Sequence, residues 1–194
     1  MSTHNGTSVT RERILEAARP VVERFTVAKF GMEDVARAAG IARQTIYKHF
    51  SGRDDLLVAM FVQQLSEMRE DLAESAAADP SAEQLVTLFV EELKSAKKFP
   101  LFDAMLDPAV APKMAELVFS SDEMSTAREA TWFPILERYV ASGVVADDVD
   151  FAQTVRWINY QQFWFLTHPT VLTSSDDERE TYVRNFVVKA LLAK

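Results

Sequence analysis

Apolar side chains recur every three or four positions along nearly the whole chain, the spacing of one helix face, and no run keeps the two-residue alternation of a strand. The first stripe is Ile14, Ala17, Ala18, Val21 and Phe25 within RERILEAARPVVERF; Thr10 stands where an N-cap belongs, and Pro20 predicts a kink. Gly31 precedes a short helix, MEDVARAA, which Gly40 ends; IARQTIYKHF restarts the helical pattern and Phe50 stops it. A long helix follows from Arg53 to about Ser75, opened by Asp54 and Asp55 at its positive end, with Leu56, Leu57, Met60, Phe61, Gln64, Leu65, Met68 and Leu72 on a broad stripe. Beyond the linker SAAADPSAEQ, Ser81 caps AEQLVTLFVEELKSAKK, and Pro100, Pro108 and Pro112 cut the next stretch into short pieces. SSDEMSTAREATWFPILERYVASG reads as a helix bent at Pro134 and stopped at Gly143. DFAQTVRWINYQQFWFLTH and DDERETYVRNFVVKALLAK close the chain. The pattern predicts an all-α fold of about nine or ten helices.

Composition narrows the chemistry. Apolar residues make up 48% of 194, enough for a sizeable core, and 26% are charged. No cysteine is present, which excludes disulfides, zinc–thiolate sites and thiol catalysis. The opening MSTHNGTSVT is polar and lacks a signal-peptide core, and no stretch approaches the roughly 18 apolar residues of a membrane span, so a cytoplasmic protein without a membrane partner is expected. The three histidines, His4, His49 and His168, are widely separated, and neither a Gly-rich phosphate loop nor a metal-ligand spacing appears. An enzyme, a cofactor or a bound metal is therefore not expected.

Charge is unevenly spread. Residues 1–60 hold nine Lys/Arg and seven Asp/Glu, a net of +2, within a chain whose formal charge is −8. In GIARQTIYKHF the spacing leaves Arg43, Gln44, Tyr47 and Lys48 outward if Ile41 and Ile46 point inward. Ala36 permits a close helix crossing and Gly40 the turn, so residues 33–50 have the makings of a helix-turn-helix. Arg and Gln pair with guanine and adenine in the major groove, whereas Lys, Thr and Tyr commonly grip phosphates. Arg43, Gln44 and Thr45 are assigned to bases, Tyr47 and Lys48 to phosphates, and His49 to the same surface without a fixed role. The residues alone equally describe a mixed polar surface helix, and thus a helical small-molecule-binding or protein-interaction module without sequence-specific DNA binding.

The pieces RERILEAA, DVARAAGI, TIYKHF and RDDLL, in this order over roughly residues 10–60, resemble the N-terminal domain of the TetR (tetracycline-repressor) family of transcription regulators. The resemblance implies a three-helix helix-turn-helix domain over 1–52, with 1–8 a flexible tail, and a helical effector-binding and dimerisation domain over 53–194. It implies a homodimer on a palindromic double-stranded operator, with recognition helices roughly 34–36 Å apart, and a small effector that shifts the heads. It also makes Thr10 a phosphate contact, a role compatible with capping. The chain departs from the family pattern where ERFTVAKFG lacks an early glycine, where Gly31 and Met32 replace a threonine, and where Ala42 replaces a capping hydroxyl.

In the C-terminal part, DFAQTVRWINYQQFWFLTH is apolar nearly all round, the mark of a helix buried twice. Phe151, Val155, Ile158 and Phe165, with Tyr182 and Phe186 of the last helix, are assigned to a four-helix dimer interface. Phe102, Met105, Trp132, Trp157, Gln161 and Trp164 are assigned to the effector pocket, although such aromatic stripes also serve as core. With no charged cluster in these stretches, a largely apolar effector is expected, with Arg128, Arg138 and Arg156 the charges nearest in sequence.

Overall fold

The computed structural model describes residues 3–76, 79–98, 100–103, 107–168 and 175–193. Among them the chain forms ten α-helices: α1 (Thr3–Lys29), α2 (Met32–Ala38), α3 (Arg43–His49), α4 (Arg53–Ala76), α5 (Ala82–Ala96), α6 (Pro100–Asp103), α7 (Ala111–Ser120), α8 (Asp122–Ala141), α9 (Phe151–Thr167) and α10 (Asp176–Tyr182). From α10 the chain continues through a wide π-type turn, Val183–Val187, and a tighter 3-10 turn, Val188–Ala190. It ends against the α8–α9 link, where Ala193 N–H donates to the Val144 carbonyl at 3.0 Å and Ala146 N–H to the Leu191 carbonyl at 2.9 Å.

The expected cap at Thr10 is displaced, because α1 already begins at Thr3 and Thr10 lies about two turns inside it. The break in α1 is also not at Pro20, which sits on an exposed face, but at Thr26, whose φ of 65° and ψ of 160° leave the helical region. This break puts Val27 into the core and leaves Phe25 outside. Pro134 likewise does not divide α8: the carbonyl four residues earlier, on Ala130, lies on the same exposed side and loses nothing buried. The caps follow the sequence more closely. Ser81, Ser121, Asp150 and Ser175 each accept a backbone N–H of the following first turn.

Two apolar clusters organise the packing. In the first, α1, α2 and α3 close over Ile14, Ala18, Val35, Ala36, Ile46 and Phe50. This cluster continues past residue 52 through Leu56–Phe61 of α4 and takes in Leu101, Met114, Val118 and Met124. The second joins Met68, Leu72 and Ala76 of α4 to α5, α8, α9 and the C-terminal turns. Thus α4 belongs to both. Its first turn is tied to the end of α1, where Arg53 donates to the Val27 carbonyl at 2.6 Å and lies 4.7 Å over the Phe30 ring.

Thr26 adopts a backbone region that essentially only glycine occupies freely, at a cost on the order of 1–3 kcal/mol. Thr26→Gly relieves that strain less the roughly 0.5–1 kcal/mol that glycine's freedom in the unfolded chain costs, so a net gain of about 1 kcal/mol is expected, raising the thermal midpoint by about 2–4 °C as followed by circular dichroism. An unchanged or lowered midpoint would show that Thr26 is held there without strain.

Candidate nucleic-acid interface and effector cavity

The α2–α3 turn follows from Gly40. At φ +63° it places the Gly40 N–H on the Arg37 carbonyl (3.1 Å) and the Ile41 N–H on the Ala36 carbonyl (3.0 Å), a Schellman closure. A Cβ here would also come within 3.2 Å of the Arg13 guanidinium. Helix α3 starts at Ala42, which is extended and supplies no side-chain cap, as its residue type requires. Ile46 is fully buried and anchors the helix, with Ile41 packed at the margin of the same cluster.

Arg43, Gln44, Tyr47 and Lys48 consequently lie exposed along α3, while Thr45 and His49 are half-buried. Arg43 pairs with Glu33 of α2 at 2.5 Å and passes 5.8 Å over the Tyr47 ring. The Arg43–Glu33 pair is largely exposed on both sides, so it is worth at most about 1 kcal/mol and can open readily. Thr10 is half-buried; its neighbour Arg11 lies 5.0 Å over the ring of Phe50, which brings this part of α1 beside the end of α3.

At the far side, α4 to α9 line a half-open cavity, about 490 Å³ with the open solvent at its mouth counted in, walled by Phe61, Leu65, Met68, Phe102, Val118 and Met124. Polar groups enter it from three helices: Glu92, Arg128, Asn159 and Gln162. Trp132 Nε1 donates to Glu92 Oε2 at 3.0 Å, and Gln162 Nε2 donates to the same oxygen. Burial pushes the Glu92 carboxyl up to about 7, against the pull of these two donors and of Arg128. Burial likewise brings the Arg128 guanidinium down to about 10, where it remains charged at neutral pH. Arg128 lies 5.3 Å over the Phe119 ring, which stacks on Tyr160 at 4.3 Å. Arg128 and Asn159 also line a second, outer groove with Ser121, Asp122, Glu129 and Arg156.

The structure places the residues assigned from the sequence as follows. Of the assigned pocket residues, Phe102 lines the cavity, whereas Met105 lies outside the described residues. Trp132 is buried behind the wall and acts on the cavity through Glu92. Trp157 and Gln161 are half-buried away from it, and Trp164 is exposed and stacked on His168 at 3.9 Å. Of the assigned interface residues, Val155, Ile158 and Phe165 are buried inside this one chain and have no surface left for a partner. Phe151 and Tyr182 are half-buried, packing edge-on against Phe133 and Phe165, and Phe186 is exposed. The uncharged lining gives way to a carboxyl and a guanidinium. Their signal was in the sequence. Glu92 falls on the α5 stripe Leu85, Leu88, Phe89, Ala96, and Arg128 falls on the α8 stripe Met124, Thr131, Trp132, Ile135.

These features define an all-α protein with an N-terminal helix-turn-helix and a helical body that holds a cavity. Residues 14–60 match the sequence model of the family described as bacterial regulatory proteins, tetR family. Over that stretch the chain is similar to the TetR family of bacterial regulators. An uncharacterized helix-turn-helix regulator of Mycobacterium tuberculosis is 26% identical over 125 residues, 64% of this chain and 62% of its own length. The match thus spans less than two thirds of that relative. The regulator TtgR of Pseudomonas putida is 32% identical over 76 residues, 39% of this chain and 36% of its own. The fold is shared with the TetR-family repressor AlkX of Dietzia sp., implicated in biodegradation of n-alkanes (TM-score 0.69, 21% identity, 93% of this chain and 94% of that one). It is shared too with FadR of Bacillus subtilis, solved with stearoyl-CoA (TM-score 0.54, 17% identity, 93% and 97%). No helix among the described residues is long and apolar enough to cross a membrane.

The upward shift of Glu92 has a sign for stability. Between its ordinary value near 4.5 and about 7, the folded chain holds a proton that the unfolded chain has released, so stability falls as pH rises through this window. Glu92→Gln keeps the shape and removes the titration. Its stability relative to the unsubstituted chain is expected to improve steadily from pH 4.5 to 7 and to level off above 7, read from urea unfolding midpoints. A difference independent of pH would place the Glu92 carboxylate in an environment that solvates it.

Proposed function

We propose that this chain is a ligand-responsive, DNA-binding transcriptional regulator, a repressor that grips a palindromic operator as a homodimer and is released by a small effector with a largely apolar body. The observation that carries the reading is α3, whose exposed Arg43, Gln44, Tyr47 and Lys48 stand on a helix anchored by the buried Ile46. Residues 1–52 serve as the DNA-binding unit and 53–194 as the effector and dimerisation unit. Arg43, Gln44 and Thr45 read bases; Tyr47 and Lys48, and Thr10 from α1, hold phosphates, with His49 beside them. The second copy docks on the apolar surface left open around Tyr160, Trp164 and Phe186, which are 50%, 42% and 63% exposed, with Phe151 and Tyr182 at its margin. Large aromatics exposed in this way are costly in water unless covered. The effector acts only through unequal affinity for two spacings of the heads.

Selection of bound sequences from a random DNA pool by the full chain tests this reading, and a palindrome is the expected winner. Arg43→Ala is expected to cost about 1–3 kcal/mol at one base position, whereas Lys48→Ala weakens all sequences alike and lowers the salt slope by about one per half-site. Unchanged binding by both variants would remove α3 from the interface.

Glu33 competes with DNA for Arg43. Glu33→Gln is expected to tighten operator binding roughly two- to fivefold in fluorescence anisotropy, the worth of an exposed pair. The gain should shrink in an Arg43→Ala background. An equal gain there would assign the effect to general repulsion of phosphates by Glu33.

A further inference from the structure

Arg128 is unusual among the basic residues of the body. It lies half-buried between the cavity and the outer groove, yet among the described residues it makes neither a hydrogen bond nor an ion pair, and its ring contact is the face of Phe119. A guanidinium carries five N–H donors in a planar fork, and each donor turned toward an apolar wall without an acceptor is costly. Glu92 does not meet this need. Both of its hydrogen bonds arrive at Oε2 from Trp132 and Gln162, and it makes no ion pair with Arg128 within 4.0 Å. The donors of Arg128 are therefore open to an acceptor from outside the chain, in a cavity whose lining apart from Glu92, Asn159 and Gln162 is hydrocarbon and aromatic rings.

We propose that the effector is an amphipathic carboxylate whose apolar part lies among Phe61, Leu65, Met68, Phe102 and Met124 and whose head is held by Arg128. The inference rests on the reading of the cavity as an effector site. The fork of Arg128 matches two carboxylate oxygens, and Asn159, which lines the cavity beside it, supplies a further amide donor. An ammonium head would instead lie beside an unpaired guanidinium. An alcohol would satisfy one donor and leave the charge uncompensated.

Glu92 then acts as a pH-dependent competitor. The charged groups around it are Arg128 from α8, Glu91 on its own helix, and Arg69 and Asp71 of α4, which line an adjoining pocket; α9 contributes the neutral Asn159 and Gln162. Around Arg128 the outer groove adds Asp122, Glu129, Arg156 and Tyr160. Below about 7 the Glu92 carboxyl is neutral and leaves Arg128 to the ligand; above it, the carboxylate repels the head and shares the guanidinium. Anion binding is thus coupled to proton uptake, and affinity falls as pH rises.

Isothermal titration calorimetry on the full chain with decanoate, decan-1-ol and decylamine tests the proposal. Decanoate is expected to bind at least about tenfold tighter than either analogue at pH 6. Its affinity should fall from pH 6 to 8, by no more than about tenfold per unit for one linked proton. Arg128→Gln should bring decanoate down to the affinity of decan-1-ol, and Glu92→Gln should flatten the pH profile while keeping the preference for decanoate. Equal or tighter binding of decan-1-ol or decylamine to the unsubstituted chain, or no binding of any of the three, would overturn the inference without recourse to either variant. A flat pH profile of the unsubstituted chain would overturn the role of Glu92. Operator selection by the same preparation is a separate readout: a palindrome recovered alongside a negative calorimetric result would sink the carboxylate and spare the regulator.

Discussion

The rest of the structure depends on one helix being buried at both ends in different cores. Leu56 to Phe61 of α4 are all buried beneath the helix-turn-helix, and Met68, Leu72 and Ala76 of the same helix are buried in the body. Each end is also clamped by an arginine. Arg53 binds the Val27 carbonyl at the head, and Arg138 of α8 donates to the Ala76 carbonyl at the other end. Lys113 of α7 adds an ion pair to Asp54 at 3.0 Å, and Arg19 of α1 one to Glu67. A continuous helix transmits a tilt along its length, since its internal hydrogen bonds resist local bending. The cavity wall takes Phe61, Leu65 and Met68 from the middle of this helix, and Phe61 meets Phe102 edge-on at 5.5 Å. In the proposed reading, a ligand seated there would bear on α4, and the core that α4 shares with the head would carry the displacement onward.

The polar groups in the body work against stability. A carboxyl and a guanidinium set into apolar stripes cost more than leucines of similar volume would, and the upward shift of Glu92 is the measure of that cost. The same two positions could have closed the cavity. Instead Trp132 and Gln162 hold one oxygen of Glu92 in place, while Arg128 is left resting on Phe119 with its donors unused. A fold tolerates such an expense at a site that is completed by binding, where the ligand supplies the missing acceptor and part of the lost stability returns as affinity.

The head was legible in the sequence because each of its features is local. Gly40 must take a positive φ, Ile46 must point inward if Ile41 does, and Arg43, Gln44, Tyr47 and Lys48 then have only one face left. The body was legible as helices and caps but not as neighbours. Helix α9 has two apolar faces, and periodicity separates them without saying which meets the chain and which meets a partner. Val155, Ile158 and Phe165 turned inward, and Trp164, expected in the pocket, turned out. Thr26 was hidden for a related reason. A threonine gives no warning of a glycine-like backbone, and the break it makes was sought at Pro20. Glu92 and Arg128 were visible only as charges on the wrong face of their helices, within segments such as EELK that otherwise read as solvated.

An acidic chain that presents a basic helix raises no contradiction once distances are considered. At physiological salt a charge is screened over roughly 8–10 Å, so the acidic excess of residues 61–194 acts mainly on what touches the body. What α3 meets is its own neighbourhood, which includes Glu33 and Asp34 at the start of α2 and Asp55, which accepts from Ser51 just past α3. Asp34 is taken up by Arg37 at 3.3 Å and lies under Gly31, while Glu33 reaches across to Arg43. For Arg43 to read a base as proposed, a guanine edge would have to displace one exposed carboxylate. The carboxylate pair is the weaker, since it is bathed in water, whereas a bidentate contact in the groove is desolvated and fixed on both sides. In the proposed reading, Glu33 would set a small cost on every encounter, which a bidentate base-edge contact of Arg43 would exceed more readily than a lone phosphate contact, favouring the correct sequence.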